Sequence, residues 1–272
     1  MTMIHEEVQT LSPLVRRITA NNPGVFTGSG TNTYLLGQDE VTVIDPGPAV
    51  EEHCETIIQS AKRIGKVIVT HTHLDHSPGA KILGDKLDVP IYGLVSESFH
   101  QDTSFKPTDT LKDGEVIETP EFCLTVLHTP GHASNHFCFI LENEGMLFSG
   151  DHIMDGSTVV IRPPDGNMRH YLDSLKKLKK YPIQSIAPGH GNIIHNPLSM
   201  VDWILQHRID RENKIFETLT SIKQGNAHSM VSLVYDDVDA SLHPFAKWSL
   251  EAHLIKLFEE HKISLRGDQY YI

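Results

Sequence analysis

The chain has 272 residues, 39% of them hydrophobic and 21% charged, with a formal net charge of −12. That length suits one large domain or one domain with a small appendage. The negative charge argues against nucleic-acid binding driven by overall charge, and no stretch is long and apolar enough to span a membrane. The start, MTMIHEEVQT, has no apolar segment of the secretory type, so a cytoplasmic protein is expected. Cys54, Cys123 and Cys138 show no CxxC spacing, and the last two fall in strand-like runs as small core residues.

In chain order, TNTYLL and VTVID read as a strand pair joined around Gly37. VEEHCETIIQSAKRI reads as a helix. KVIVT, VPIYG, EVIET, FCLTVLHT, HFCFILE and MLFSGD then read as strands, with SIAPG as a late one. A helix from about Met168 to Lys180 separates the last two, and NPLSMVDWILQHRIDRENKIFETLTSI reads as a long helix. Composition changes near Lys223–Ser229. Beyond it lie a short helix, SMVSLVY, a second helix opened by Pro244, and a hairpin around Gly267-Asp268. The expected organisation is an α+β fold with two packed sheets covered by helices in residues 1–223, and a small winged-helix module in residues 224–272.

The stretch VIVTHTHLDHSPGA places His71, His73, Asp75 and His76 directly after a β-branched apolar run. Strand ends are where α/β proteins keep their sites. In extended chain His71 and His73 point the same way, because the side-chain period is two. Asp75 and His76 then turn into a helix opened near Ser77-Pro78. Imidazole and carboxylate suit zinc and similar first-row metals. Three more strand ends carry ligand types: His132 in TPGH, Asp151 in SGD and His190 in PGHG, each beside a glycine. Five histidines and two carboxylates are enough for two divalent ions, with Asp151 placed to bridge them.

HTHLDH, TPGH, SGD and PGHG, in that order, resemble the metallo-β-lactamase fold superfamily over about the first 220 residues. The resemblance implies an αβ/βα sandwich with the site at one edge. It implies one metal on His71, His73 and His132, the other on Asp75, His76 and His190, and Asp151 between them. NNPGVFTGSGTNTYLLG, VDWILQHRIDRENKI and LHPFAKWSLEAHLIKLFEEHKI are similar to the β-lactamase-like protein 2 group. That group includes a mitochondrial endoribonuclease on single-stranded RNA, relatives that are acyl-carrier-protein thioesterases, and a C-terminal winged helix. A bridging Asp makes the site resemble glyoxalase II and the tRNA 3′-processing nuclease rather than the secreted zinc β-lactamases.

Two zinc ions would make hydroxide available at neutral pH, and that nucleophile attacks carbonyl or phosphorus centres alike. Asp75, Asp151 and His152 are the candidate catalytic residues, with His152 a proton donor or a support of the ligands. Small acyl substrates, thioester or ester, lead. An endoribonuclease on single-stranded RNA is the second reading, and a non-catalytic metal-binding module or a β-lactamase comes behind. A homodimer stays open. Asn135 and His136 near His132 read as turn residues, with a substrate contact the sharper reading, and Asn32 and Thr33 as a strand start rather than a lining of the cleft. Met154–Asn167 reads as a specificity loop. The helix after it carries a basic face, +4 over residues 169–180, whereas residues 224–272 are net −3. A solvated basic face is the plainer reading of that helix, with RNA or acyl-carrier docking the sharper one.

Overall fold

Alternate residues of the same strands face two different cores, as the period of two requires. The computed structural model describes residues 4–98 and 100–272. The chain divides into two compact units: residues up to Thr129, Asn135–Ser157 and Tyr181–Pro197 form the first, and Pro130–Ser134, Thr158–Lys180 and Leu198–Ile272 form the second.

The first unit holds two sheets. One is seven-stranded, ordered β1 (Gln9–Thr10), β2 (Val15–Thr19), β3 (Asn32–Leu36), β4 (Val41–Ile44), β5 (Ile64–Ile68), β6 (Ile91–Gly93) and β7 (Asp109–Thr110). Its first four strands pair antiparallel and the rest parallel. The other is five-stranded, with β12 (Ser185–Pro188), β11 (Met146–Gly150), β10 (Phe137–Leu141), β9 (Cys123–His128) and β8 (Val116–Glu118) in that order. Tyr34, Leu36, Ile44 and Ile68 of the first sheet share a core with Leu124, Val126, Phe137, Phe139 and Phe148 of the second. The intervening residues Leu35, Val43, Val67 and Val69 turn the other way. They pack with Cys54 and Ile57 of helix α1 (Glu51–Gln59) and Leu83 of α2 (Pro78–Leu87).

The expected α1 is cut short: Ser60 closes it, with its N–H on Thr56 O and Ile57 O, and Ile64 already lies in β5. The backbone N–H of Val41 takes the Arg63 carbonyl, so residues 61–64 serve the sheet rather than the helix. Both expected proline-opened helices occur, since proline lacks only an N–H that the first turn leaves unpaired anyway.

The second unit contains α3 (Met168–Leu178), most of α4 (Pro197–Ile222), α5 (Ala227–Val234) and α6 (His243–Glu259). Its small sheet joins β13 (Gln224–Gly225), β15 (Gln269–Tyr271) and β14 (Ser264–Arg266). The hairpin expected at Gly267-Asp268 is present, with Gly267 at φ 62°. β13 was not legible as a strand, being two residues long. Ile215, Leu219, Met230, Leu250, Leu254 and Tyr270 make this unit's core. On α3, Met168, Tyr171, Leu172, Leu175 and Leu178 are buried as the helical spacing requires. Three of the five basic residues in 169–180 face acids: Arg169 pairs with Glu259 at 2.6 Å, Lys179 with Asp202 at 2.6 Å and Lys176 with Asp173 at 3.3 Å. Among the described residues no helix is long and apolar enough to cross a membrane.

One acid ties α4 to α6. Glu212 accepts from Lys256 Nζ at 2.8 and 2.9 Å and from His253 Nδ1 at 3.2 Å. Burial pushes the Glu212 carboxyl up, but His253 and Lys256 outweigh it and bring it down to about 2. A depressed carboxyl stabilises the fold above its unfolded value of about 4.3 and loses that contribution as pH falls toward 2. Glu212→Gln is expected to lower the unfolding free energy at pH 7 by about 2–3 kcal/mol, the scale of charged hydrogen bonds. The gap to wild type should close as pH falls from about 4.3 toward 2. Both tryptophans, Trp203 and Trp248, belong to the second unit, so urea unfolding followed by their fluorescence measures it.

Candidate metal centre

The ligand-type residues of the first unit come from three strand ends. The chain leaving β5 carries His71 and His73, then turns: His76 N–H and Ser77 N–H both bond the His73 carbonyl, and α2 follows. β11 ends on Gly150 and delivers Asp151. Its parallel neighbour β12 ends on Pro188 and delivers His190. Two glycines let these ends close up. A Cβ on Gly150, at φ 45°, would lie 2.6 Å from Thr70 Oγ1. A Cβ on Gly189 would lie 2.7 Å from His76 Cε1 and 2.8 Å from Asp151 Oδ1.

Asp75, His76, Asp151 and His190 each offer a ligand atom to one cluster. His76 Nε2 lies 3.5 Å from Asp75 Oδ2 and 3.3 Å from Asp151 Oδ1, and His190 Nε2 lies 3.2 and 3.3 Å from the same two oxygens. A tetrahedral ion with bonds of about 2.0–2.1 Å holds its ligands about 3.3–3.4 Å apart. The cluster therefore has the dimensions of a first-row dication site, and its two imidazole donors suit such an ion better than calcium, which takes oxygen ligands. His76 Nε2 and His190 Nε2 are buried without a hydrogen bond among the described residues, which an inward-facing lone pair explains. His71, His73 and Asp151 bring ligand atoms within 4.8 Å of one another in a second cluster, with His71 Nε2 2.9 Å from His73 Nδ1. Asp151 belongs to both clusters. His132 lies in the second unit, on the Pro130–Ser134 segment.

The orientation of four of the five imidazoles follows from an outer hydrogen bond. Asp45 accepts from His76 Nδ1 at 2.9 Å, so His76 turns Nε2 toward the cluster. Asp45 also takes Thr70 N–H and Thr70 Oγ1–H, each at 2.7 Å. That hydroxyl has spent its proton, so it accepts from His71 Nδ1 at 3.0 Å, and His71 likewise presents Nε2. His190 Nδ1 donates to Gly30 O at 3.1 Å, and His132 Nδ1 to Val160 O at 2.8 Å. Asp151 itself is steadied from behind. Its N–H donates to His136 Nε2 at 3.2 Å, and His136 Nδ1 faces Thr129 Oγ1 at 3.0 Å.

Electrostatics point the same way. Burial pushes His71 well below the ordinary imidazole range, and the neighbouring His76 and His73 add to it, so it is neutral. For His190 burial works downward, but the charge of Asp151 overrides it and lifts the ring to about 9. His76 is likewise raised, by Asp75 and Asp151 against burial. Asp75 falls to about 2 and Asp151 well below the carboxylate range, because the facing imidazoles outweigh desolvation. The buried Asp151 and the half-buried Asp75 thus draw positive charge into this cluster. A dication delivers that charge to neutral imidazoles and replaces their protons.

Sequence reasoning missed Asp45, Thr70 and the supporting role of His136. Asp45 closes a strand read only as VTVID, and 31 residues separate it from His76. Asn135 and His136 are fully buried and hold the site from behind, with Asn135 Nδ2 donating to Thr72 Oγ1 and Leu94 O. Asn32 ties the His190 loop to β3 through Pro188 O and Gly191 O. His152 is fully buried, its ring 5.9 Å from that of His136. Asp155, early in the expected loop, accepts from Asn192 N–H and Nδ2 at 3.1 Å.

Residues 26–190 match the family model of the metallo-beta-lactamase superfamily, and residues 227–269 match that of the beta-lactamase associated winged helix domain. A beta-lactamase-like protein 2 homolog of Drosophila melanogaster is 32% identical over 97% of this chain and 96% of its own length. An atrochrysone carboxyl ACP thioesterase of Aspergillus terreus is 29% identical over 87% of this chain and 74% of its own. Among solved structures, a beta-lactamase domain protein from Burkholderia ambifaria superposes with a TM-score of 0.84 at 20% identity, over 99% of this chain and 95% of that one. The chain therefore belongs to the metallo-beta-lactamase superfamily of hydrolases, in the branch that carries the associated winged helix and includes the beta-lactamase-like protein 2 homologues.

Proposed function

We propose that this chain is a dinuclear zinc hydrolase acting on small acyl substrates, thioesters or esters. The observation that carries the reading is the pair of clusters sharing Asp151, one with 3.2–3.5 Å edges that suit bonds of about 2.0–2.1 Å. His71 and His73 would hold one ion with His132 as third imidazole, as the resemblance implies. Asp75, His76 and His190 would hold the other, with Asp151 common to both. When bound, the pair supplies Lewis acidity and activates water as hydroxide at neutral pH.

The chain's own residues supply the rest. Asp45 keeps the lone pairs of His76 and His71 turned inward. Asp75 and Asp151 offset the cationic charge, so the centre retains a modest positive excess for a substrate oxygen that gains charge as the carbonyl is attacked. His152 is assigned to steadying the Asp151 turn, because its ring is fully buried. The module boundary at residue 223 is proposed between α4 and the winged-helix match that starts at residue 227.

Acyl chemistry is preferred to RNA on two grounds. Arg169, Lys176 and Lys179 of the basic face are paired with acids, which reduces the charge it offers a phosphate backbone. One relative bears the name of a thioesterase. The zinc-loaded protein, profiled against thioesters, esters, lactams, bis-phosphodiesters and single-stranded RNA, is expected to turn over a thioester fastest. Faster cleavage of RNA or a bis-phosphodiester would overturn the acyl reading while leaving the metals intact.

Elemental analysis after zinc loading is expected to return two metals per chain, and a saturated value of one would defeat the dinuclear reading. Asp151→Ala is expected to lower turnover by orders of magnitude and to release at least one metal. Its far-ultraviolet circular dichroism should match wild type, since no core strand changes. Near-normal turnover in that variant would show that Asp151 does not bridge.

A further inference from the structure

Asp45 is a non-glycine residue at φ 49°, in the left-handed region. That conformation is unfavourable for a residue with a Cβ and persists where neighbours hold it. Here the neighbours form a single chain of hydrogen bonds. Thr33 Oγ1 donates to the Asp45 carbonyl at 2.6 Å. With its proton spent there, the same oxygen accepts from His53 Nε2 at 2.8 Å. His53 Nδ1 lies 2.7 Å from Glu6 Oε2, and Glu6 Oε1 accepts from Asn21 N–H at 3.0 Å. Thr33 and His53 are fully buried, and Glu6 lies at the outer end with its side chain 14% exposed. Glu6 is itself left-handed, at φ 57°, with its N–H on Thr19 O at 3.0 Å. Two non-glycine left-handed residues therefore terminate one relay. Its inner end is the residue whose carboxylate orients His76 and, through Thr70, His71.

We infer that Glu6, His53 and Thr33 are positioning residues for the metal centre, clamping the Asp45 carbonyl so that its carboxylate is aimed at His76 and Thr70. Among the described residues, none of these hydrogen bonds falls on a ligand-type residue of the clusters; the three act through Asp45. Releasing the carbonyl lets Asp45 relax toward an ordinary backbone conformation, which swings the carboxylate off both imidazoles. The inference rests on the reading of the clusters as metal sites. Against it stands a plainer role, in which His53 is a core histidine that merely satisfies its neighbours.

The test measures zinc affinity by competition with a chromogenic chelator, and the visible spectrum of the cobalt-substituted protein. Both are taken on wild type, Thr33→Val, His53→Gln, His53→Asn and Glu6→Ala. Thr33→Val keeps the side chain's shape and removes the clamp. It is expected to weaken zinc binding at least about 10-fold, the scale for outer partners of metal ligands, and to shift the cobalt bands. The amide nitrogen of Gln at 53 reaches Thr33 and should restore near wild-type affinity, whereas Asn reaches only toward Glu6 and should not. Glu6→Ala, at the outer end, should weaken zinc in the same direction by a smaller factor with the fold intact. Wild-type affinity and cobalt spectrum in Thr33→Val would overturn the inference. So would equal losses in His53→Gln and His53→Asn that follow only the thermal stability of the metal-free protein. Should Thr33→Val fail to fold, the Gln–Asn contrast and Glu6→Ala still decide. A wild-type protein that binds no zinc would remove the metal reading and this inference together. Two zinc ions in wild type with all variants unaltered would remove the inference alone.

Discussion

The Asp45 carboxylate is the contact on which the metal centre depends. Its two oxygens receive Thr70 N–H, Thr70 Oγ1–H and His76 Nδ1. Because a carboxylate only accepts, every proton in that network points toward it, and the polarity runs outward through Thr70 to His71. The consequence is directional. One ligand in each cluster has its lone pair turned inward by a single acid that lies outside both. In a buried, weakly polarisable setting such a chain is stronger than its separate bonds would be in water.

The two-sided strands do the coarser positioning. Tyr34, Leu36, Ile44 and Ile68 bind one sheet to the other, while Leu35, Val43 and Val67 bind it to α1 and α2. Strands with both faces buried have little freedom to slip, because a shift of one residue would exchange their two sets of side chains. β4, β5, β11 and β12 therefore end at fixed levels, and their last residues can be brought together with little loop. Gly150 and Gly189 remove the side chains that would keep those ends apart. What arrives there is a buried and a half-buried carboxylate facing imidazoles, an arrangement that draws in positive charge. The second unit obeys the same rule with a side-chain cation: Glu212 is half-buried against Lys256, with His253 beside it.

Much of this was legible in the order of residues. The β-branched run before His71, the turn into Ser77-Pro78, and the glycines beside Asp151 and His190 are local patterns. Each has a local physical cause, so the strand ends, both proline-opened helices and the C-terminal hairpin could be placed in advance. The apolar face of α3 was readable from helical spacing for the same reason. The early stop of α1 was less so, because it depends on Val41 claiming the Arg63 carbonyl from a neighbouring strand.

The sequence by itself determined which side chains are offered to a metal, since ligand chemistry resides in residue type and short spacing. Only the tertiary structure decided how those side chains are aimed. Asp45, Thr33, His53 and His136 are ordinary residues in ordinary-looking stretches, and their partners lie far along the chain. The tertiary structure also decided that Arg169 and Lys179 of the basic stretch at residues 169–180 pair with Glu259 and Asp202. Helical spacing shows that charges point outward. Whether they meet solvent, a ligand or an acid from another helix depends on packing that no local pattern encodes.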